Sequence, residues 1–295
     1  MGDYVLSCCS TADMTEEYFA KRNIAYVCFH FFIGGRMYLD DLGESIPFKD
    51  FYGRMAEGEE TKTSQVNVEE YVDHFEKFLL EGKDILHLTL SSGISGTINS
   101  AVIARDELSE KYPERKIIVI DSYAASGGFG LLMDKLADLR DEGKSLDEVA
   151  QYALDNRLKL HHWFFTTDLT YLIRGGRVSK VSGFFGNMLN ICPLLNVNDE
   201  GRLIPRFKIR TKKKVIAACV EQMLLHATDG AEYKGKCFIN HADCLDDAME
   251  VANLIEEKIP ALKGKILVNY IGTTIGSHTG PGTVALFFWG DERTR

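Results

Sequence analysis

Apolar and polar positions along the chain follow two rhythms. Short apolar runs bounded by polar residues read as buried strands, and apolar residues spaced three and four apart read as amphipathic helices. Tyr4 to Cys8 is a run of the first kind and leads into a polar loop. Glu16 to Lys21 is a short helix on this pattern. The runs Ile24 to Ile33 and Arg36 to Leu39 flank Gly34-Gly35 and predict a hairpin. Pro47 suits the first turn of a helix reaching about Ala56. Asn67 with Glu70 forms a capping box for a helix whose Val68, Tyr71, Val72, Phe75 and Leu79 share one face. The polar, hydroxyl-rich stretch Thr61 to Gln65 just ahead of it, which holds Thr63, reads as an ordered loop.

Ile85 to Leu90 is a buried strand, and a helical pattern from just after Gly96 runs to about Tyr112, where Pro113 stops it. Ile117 to Ile120 is a second buried strand, followed by an Ala/Gly-rich helix from Ala124 to Arg140. Ser145 and Glu148 cap another helix to about Lys159. Strands alternating with helices imply right-handed crossovers and a parallel, doubly wound sheet.

The texture changes near His161. Trp163 to Thr167 is a strand. Cys192 to Val197 and Leu203 to Ile209 flank Asp199-Glu200-Gly201 and predict an antiparallel hairpin. Helices at 213–226 and 245–258, and strands at 237–240, 266–270 and 284–289, complete a mixed α/β half. Gly276 to Gly282 reads as a tight turn cluster. The division is thus an α/β domain over 1–164 and a mixed α/β domain over 165–295.

Between the strand ending at Leu90 and the next helix lie Ser91, Ser92, Ser95 and Thr97 with Gly93 and Gly96. A loop at the carboxyl end of a strand, feeding a helix N-terminus, is where open α/β sheets place ligands. The free amides and dipole there favour an anionic group. The loop is neither a dinucleotide fingerprint nor a P-loop, and it misses the Gly-x-Ser-x-Gly elbow by one residue. Ser95 could equally be a cap that accepts from the amide of Thr97 or Ile98.

Composition narrows the classes further. A net charge of −9 argues against a nucleic-acid surface, and Lys212-Lys213-Lys214 reads as the solvated first turn of a helix. The longest apolar stretch, Ile24 to Ile33, is about half a membrane span, so no stable membrane insertion is expected. No signal peptide is visible. Seven scattered cysteines without a Cys-x-x-Cys pair suit a reducing cytoplasm better than disulfides or zinc. His161, His162, His226 and His241 show no partner pattern and read as structural. Phe184, Phe185, Met188 and Leu189 read as core before pocket, with a place along an apolar ligand as the alternative.

The ordered segments Thr61 to Gln65, Leu90-Ser91-Ser92-Gly93-Ile94-Ser95-Gly96-Thr97, Asp121-Ser122 with Ser126-Gly127-Gly128, Leu172 to Ser179, Pro193-Leu194-Leu195 with Glu200-Gly201, and His278 to Gly282 resemble DegV family proteins in order and spacing. The resemblance implies a two-domain α/β fold that holds a long-chain fatty acid between its domains. It also implies a separate ATP-binding kinase that phosphorylates the bound carboxylate, with no cofactor or metal in this chain and no catalysis by it alone. On the matching positions, Thr63 and Ser95 would hydrogen-bond the carboxylate, with Gly96, His278 and Thr279 close by. Ser64, Ser92, Thr97 and Ser126 would lie in the pocket or behind it, and Arg174 and Arg177 on the face that meets the kinase. The competing expectation is a serine hydrolase or acyltransferase using Ser95 with His278 as base, for which no third triad member is evident.

Overall fold

The computed structural model describes residues 4–178 and 191–294. Phe184, Phe185, Met188 and Leu189, expected in the core, lie outside the described residues. The chain opens with β1 (Tyr4–Cys9) and α1 (Glu16–Lys21), whose Thr15 caps it by accepting from the amide of Tyr18. It continues through β2 (Ile24–Val27), β3 (His30–Ile33), β4 (Arg36–Leu39), α2 (Phe48–Ala56) and β5 (Thr61–Ser64). Next come α3 (Val68–Leu80), held by the expected Asn67–Glu70 capping box, then β6 (Asp84–Thr89), α4 (Thr97–Lys111) and β7 (Ile117–Asp121). The helices α5 (Ser126–Asp141) and α6 (Leu146–Asn156) follow, the second with the expected Ser145–Glu148 box. Then come β8 (Leu160–Phe165), α7 (Thr170–Gly175), β9 (Ile191–Val197), β10 (Leu203–Arg210) and α8 (Lys212–His226). The chain closes with β11 (Phe238–His241), α9 (Leu245–Lys258), β12 (Leu267–Tyr270), α10 (Thr273–Thr279) and β13 (Val284–Trp289).

Three sheets result. One is parallel throughout, in the order β2-β1-β6-β7, as the alternation of strands and helices requires. The second is mixed, in the order β10-β9-β8-β13-β11-β12, with β11 and β12 parallel and the other pairs antiparallel. The third is a small antiparallel sheet in the order β4-β3-β5. Pairing assigns Leu160–Phe165 to the mixed sheet.

Three local readings are corrected. The run Ile24 to Ile33 is not one arm of a hairpin: only His30–Ile33 pairs with Arg36–Leu39, while Ile24–Val27 stays in the parallel sheet. The chain leaves that sheet at Phe29, whose amide is taken by Ser10 Oγ at 3.1 Å and whose carbonyl accepts from Asp40 at 2.8 Å. Thr61 to Ser64 is a strand rather than a loop, paired with β3 in the register Phe31–Thr63. Polar composition hid it, because one of its faces meets solvent and the other meets α10. The glycine cluster begins as helix α10 and turns only at Gly280 and Gly282, both at positive φ.

Helix α5 lies between the parallel and mixed sheets, and its first turn explains a pair of glycines. A Cβ at Gly127 would sit 2.1 Å from Asn240 Oδ1, and one at Gly128 would sit 2.3 Å from His162 Nε2. The helix can therefore approach the mixed sheet only without side chains there. Alternation along β13 completes the layering. Ala285 and Phe287 face the core shared with the parallel sheet, while Val284, Leu286 and Phe288 face a second core beneath α8 and α9.

Candidate functional site

A cavity of about 360 Å³ opens where the three sheets meet, within the range of ligand pockets. Its apolar walls come from Phe29 at the small sheet, Leu90 and Ile94 at the β6–α4 loop, Phe164, Ala285 and Phe287 of the mixed sheet, and Val197 and Leu203 of the β9–β10 hairpin. Its polar groups gather toward β5, the β6–α4 loop and α10.

Thr63 projects from β5 toward α10, and its Oγ1 lies 2.7 Å from His278 Nε2. Thr61, on the same face, donates to the carbonyl of Ser277 at 3.3 Å, so strand and helix are tied along their length. The close approach of α10 depends on Gly276, where a Cβ would meet Tyr52 Oη at 2.2 Å. The other ring nitrogen of His278, Nδ1, is buried without a hydrogen-bond partner among the described residues; it lies against Gly175, where a Cβ would stand 2.4 Å away. Burial, reinforced by the charge of Arg177, pushes the His278 imidazole down to about 4. It is therefore neutral at physiological pH, with one N–H and one lone pair.

The Ser91-to-Thr97 loop divides in two. Its first half binds the second half of the chain: Ser91 Oγ donates to the carbonyl of Gly201 at 2.8 Å, and a Cβ at Gly93 would stand 2.4 Å from the same oxygen. Gly201 is fixed in turn, with φ +71 and Ser91 Oγ only 2.1 Å from its would-be Cβ. The second half faces the cavity. Ser95 Oγ accepts from the amide of Thr97 at 3.2 Å, as the capping reading expects, although the N-cap position itself falls on Gly96. Ser95 and Gly96 both line the cavity. Ser95 thus supports the helix start and retains a hydroxyl proton that can be donated to a ligand.

The remaining expected residues separate. Ser64 and Thr279 line the cavity, and Thr279 Oγ1 donates to the carbonyl of Ile275. Ser126 lines it too, at φ +52, with its hydroxyl proton given to Asp13. Thr97 turns into the core, where its hydroxyl meets Tyr71 Oη at 2.8 Å, and Ser92 is exposed with its amide bonded to Asp121; neither lines the cavity. Arg177 lies at the cavity rim, with its Nε 3.4 Å from the carbonyl of Ile94. Arg174 is half exposed, 3.8 Å from Glu60, and does not line the cavity.

Gln65 and His162 are among the wall residues that carried no individual functional expectation. Gln65 reaches over Gly96, where a Cβ would meet its Oε1 at 3.1 Å, and its Nε2 donates to Ser100. His162, read as merely structural, reaches the cavity wall. Its Nε2 accepts from the amide of Ala125 at 3.4 Å and its Nδ1 lies 3.1 Å from the carbonyl of Leu160, so burial keeps it neutral. Its partner sits 37 positions away in sequence, which no local pattern reveals.

A hydrolase built on Ser95 and His278 finds no support in this geometry. Nε2 of His278 is engaged with Thr63, and among the described residues its Nδ1 has no carboxylate to orient it. Among the described residues, no helix is long and apolar enough to cross a membrane.

Comparison with known proteins adds to this picture. A family model described as "Uncharacterised protein, DegV family" matches residues 9–291. A DegV domain-containing protein of Clostridium perfringens is 39% identical over 293 residues, covering 99% of each chain. A Thermotoga maritima protein named fatty acid-binding protein is 33% identical over 97% of each. The solved structure of the Streptococcus pneumoniae fatty acid kinase B3 protein loaded with linoleic acid superposes with a TM-score of 0.82 at 23% identity. The match covers 99% of this chain and 100% of that one, and it shows the common fold.

Proposed function

The chain belongs to the DegV family, and on that premise we propose that it holds a long-chain fatty acid in the cavity and presents its carboxylate to a separate ATP-dependent kinase. The observation that carries the reading is the pairing of apolar walls with a group of hydroxyls, Thr63, Ser64, Ser95 and Thr279, on β5, the β6–α4 loop and α10. Names of relatives support it: the Thermotoga maritima relative is named for fatty-acid binding, and the Streptococcus pneumoniae neighbour for fatty acid kinase.

The energetics of such a ligand divide sharply. A sixteen-carbon tail at ~0.8 kcal/mol per buried CH₂ supplies a gross term of about 10 kcal/mol. Each hydrogen bond to the charged head adds a net of roughly 1.5–3 kcal/mol. The tail therefore supplies most of the affinity, and Thr63 and Ser95 decide which end it presents. In this assignment His278 carries its proton on Nε2 and donates it to Thr63 Oγ1, freeing the Thr63 hydroxyl to donate to the carboxylate. Ser95 donates a second bond. Gly96 brings the positive end of α4 close without a side chain in the way. Ser64, Thr279 and Ser126 complete the polar wall, and Arg177 at the rim draws the anion in.

Neutral hydroxyls suit a carboxylate that must still react. A bidentate arginine clamp would hold both oxygens and block attack on the phosphoryl donor. Arg174 and Arg177 face the kinase, and the reaction takes place in the cytoplasm. The expected division near residue 164 separates two roles. Residues 1–164 supply the hydroxyl-bearing strand and loop, while 165–295 close over the tail and contribute His278 and Thr279.

Native mass spectrometry of protein purified from cells tests the reading directly. The expected result is an added mass equal to a fatty acid, lost on delipidation and restored by palmitate or oleate. Ser95→Ala should lower affinity while the fold stays intact. Protein that emerges ligand-free and binds neither acid overturns the proposal.

A further inference from the structure

On the face of β8 away from the cavity, three side chains from distant parts of the chain converge. His161 lies on β8, His226 is the last residue of α8, and Asp291 follows β13. We propose that these three residues bind one divalent cation of the zinc class, at a site separate from the lipid cavity.

The donor geometry already approaches that of a metal site. His161 Nε2 and Asp291 Oδ1 are 2.9 Å apart, Asp291 Oδ1 and His226 Nδ1 are 3.2 Å apart, and one ligand atom from each residue falls within 4.8 Å of the others. A tetrahedral zinc with bonds of ~2.0–2.1 Å has ligand-to-ligand edges of ~3.3 Å. Two imidazoles and a carboxylate match the donor set of three-ligand zinc sites, which leave the fourth position to water or an incoming group.

The backbone holds the donors in place. The Asp291 amide donates to the carbonyl of His226 at 3.0 Å, and the Gly290 amide donates to the carbonyl of Lys159 at 2.8 Å. Gly290 is itself required, because a Cβ there would sit 2.1 Å from the His226 carbonyl oxygen. His161 is packed between Phe288, at 5.2 Å with planes 3° apart, and His226, at 5.0 Å with planes 20° apart. Binding therefore requires the part-exposed His226 ring to tilt toward the ion while His161 stays fixed.

The electrostatics set an order among the ligands. His161 Nε2 carries an N–H that donates to the Asp291 carbonyl oxygen at 2.9 Å. Metal capture at Nε2 therefore moves the ring proton to Nδ1, which leaves the imidazole neutral. Arg293 lies close enough to His161 to disfavour added positive charge. The Asp291 carboxylate must offset that charge, which makes it the dominant ligand. It is 61% exposed, so the ion can reach the site from solvent.

The test uses the full chain without a histidine tag, stripped with chelator and titrated with Zn²⁺ by calorimetry, with native mass spectrometry to count ions. The expected result is one Zn²⁺ per chain, with Asp291→Asn and His226→Ala each weakening binding by at least about tenfold. Asp291 is exposed and His226 part-exposed, and an unchanged Tm of the metal-free variants shows that they fold. Co²⁺ in place of Zn²⁺ should give the visible absorption of a tetrahedral nitrogen and oxygen site. Absence of stoichiometric binding overturns the proposal. Binding that both variants retain also overturns it, because it would place the ion elsewhere on the chain.

Discussion

Two hydroxyl–histidine pairs in this molecule have almost the same geometry and opposite surroundings. At the cavity, Thr63 Oγ1 lies 2.7 Å from His278 Nε2. In the core of the parallel-sheet unit, Ser7 Oγ lies 2.7 Å from His74 Nε2 and 2.9 Å from His87 Nδ1. The core pair is enclosed by aromatic rings, with Tyr71 and Phe75 packed edge-on to His87 at 5.2 and 5.1 Å. Ser7 has both histidines as partners and no space beside it. Thr63 has one histidine and a cavity on its other side. The same pair is therefore structural where its surroundings are filled and ligand-facing where they are open.

Ser7→Ala should show the largest effect. It leaves two buried ring nitrogens without their partner, at a cost of roughly 2–4 kcal/mol in stability. Urea unfolding should report that loss, while ligand stoichiometry at saturation stays unchanged. Thr63→Val should weigh on binding more than on stability: fatty-acid affinity falls by roughly 1.5–3 kcal/mol, or about 10–150-fold, while the loss of the His278 partner lowers stability by only about 1–2 kcal/mol. If Thr63→Val instead unfolds the protein and leaves affinity intact, the two pairs are alike and the contrast fails.

A pH experiment sharpens the core side. Burial pushes His87 down to about 3 in the folded state, against about 6.5 when unfolded. Below pH ~6.5 the unfolded chain takes up a proton at this position that the folded chain refuses, so stability falls as the pH drops. Asp13 and Asp40, raised chiefly by burial, act with the opposite sign, so the histidine must be isolated by difference. His87→Asn removes the titration while keeping a polar group near the Nδ1 position. Between pH 6.5 and 5 the parent should lose up to about 2 kcal/mol relative to this variant. Parallel stability curves would show that His87 titrates normally. The smallest effect belongs to the rim: Arg177→Gln should slow fatty-acid association several-fold at low salt and little at high salt, read by stopped-flow fluorescence.

Local structure was written plainly in the chain. The boxes at Asn67–Glu70 and Ser145–Glu148 form as expected, because each involves residues three apart and needs no tertiary partner. Alternation of strands and helices required the parallel sheet, and Asp199-Glu200-Gly201 required the β9–β10 hairpin. Thr61 to Ser64 does not declare itself in the sequence, because a short polar strand shows no apolar period. What makes it a strand is the neighbouring β3.

Tertiary structure alone decided which polar residues face the cavity. Ser91 and Ser95 belong to one loop and one composition. One is taken by Gly201, 110 positions away, while the other is left facing the cavity. Thr63 meets His278 across 215 positions, and His161 meets Asp291 across 130. Such pairs depend on how sheets stack and where glycines let them approach, and sequence spacing records neither. The chain by itself determined its helices, its caps and its apolar strands, because those forces act within a few residues; the polar strand β5 and the open space beside particular hydroxyls exist only once distant elements have packed.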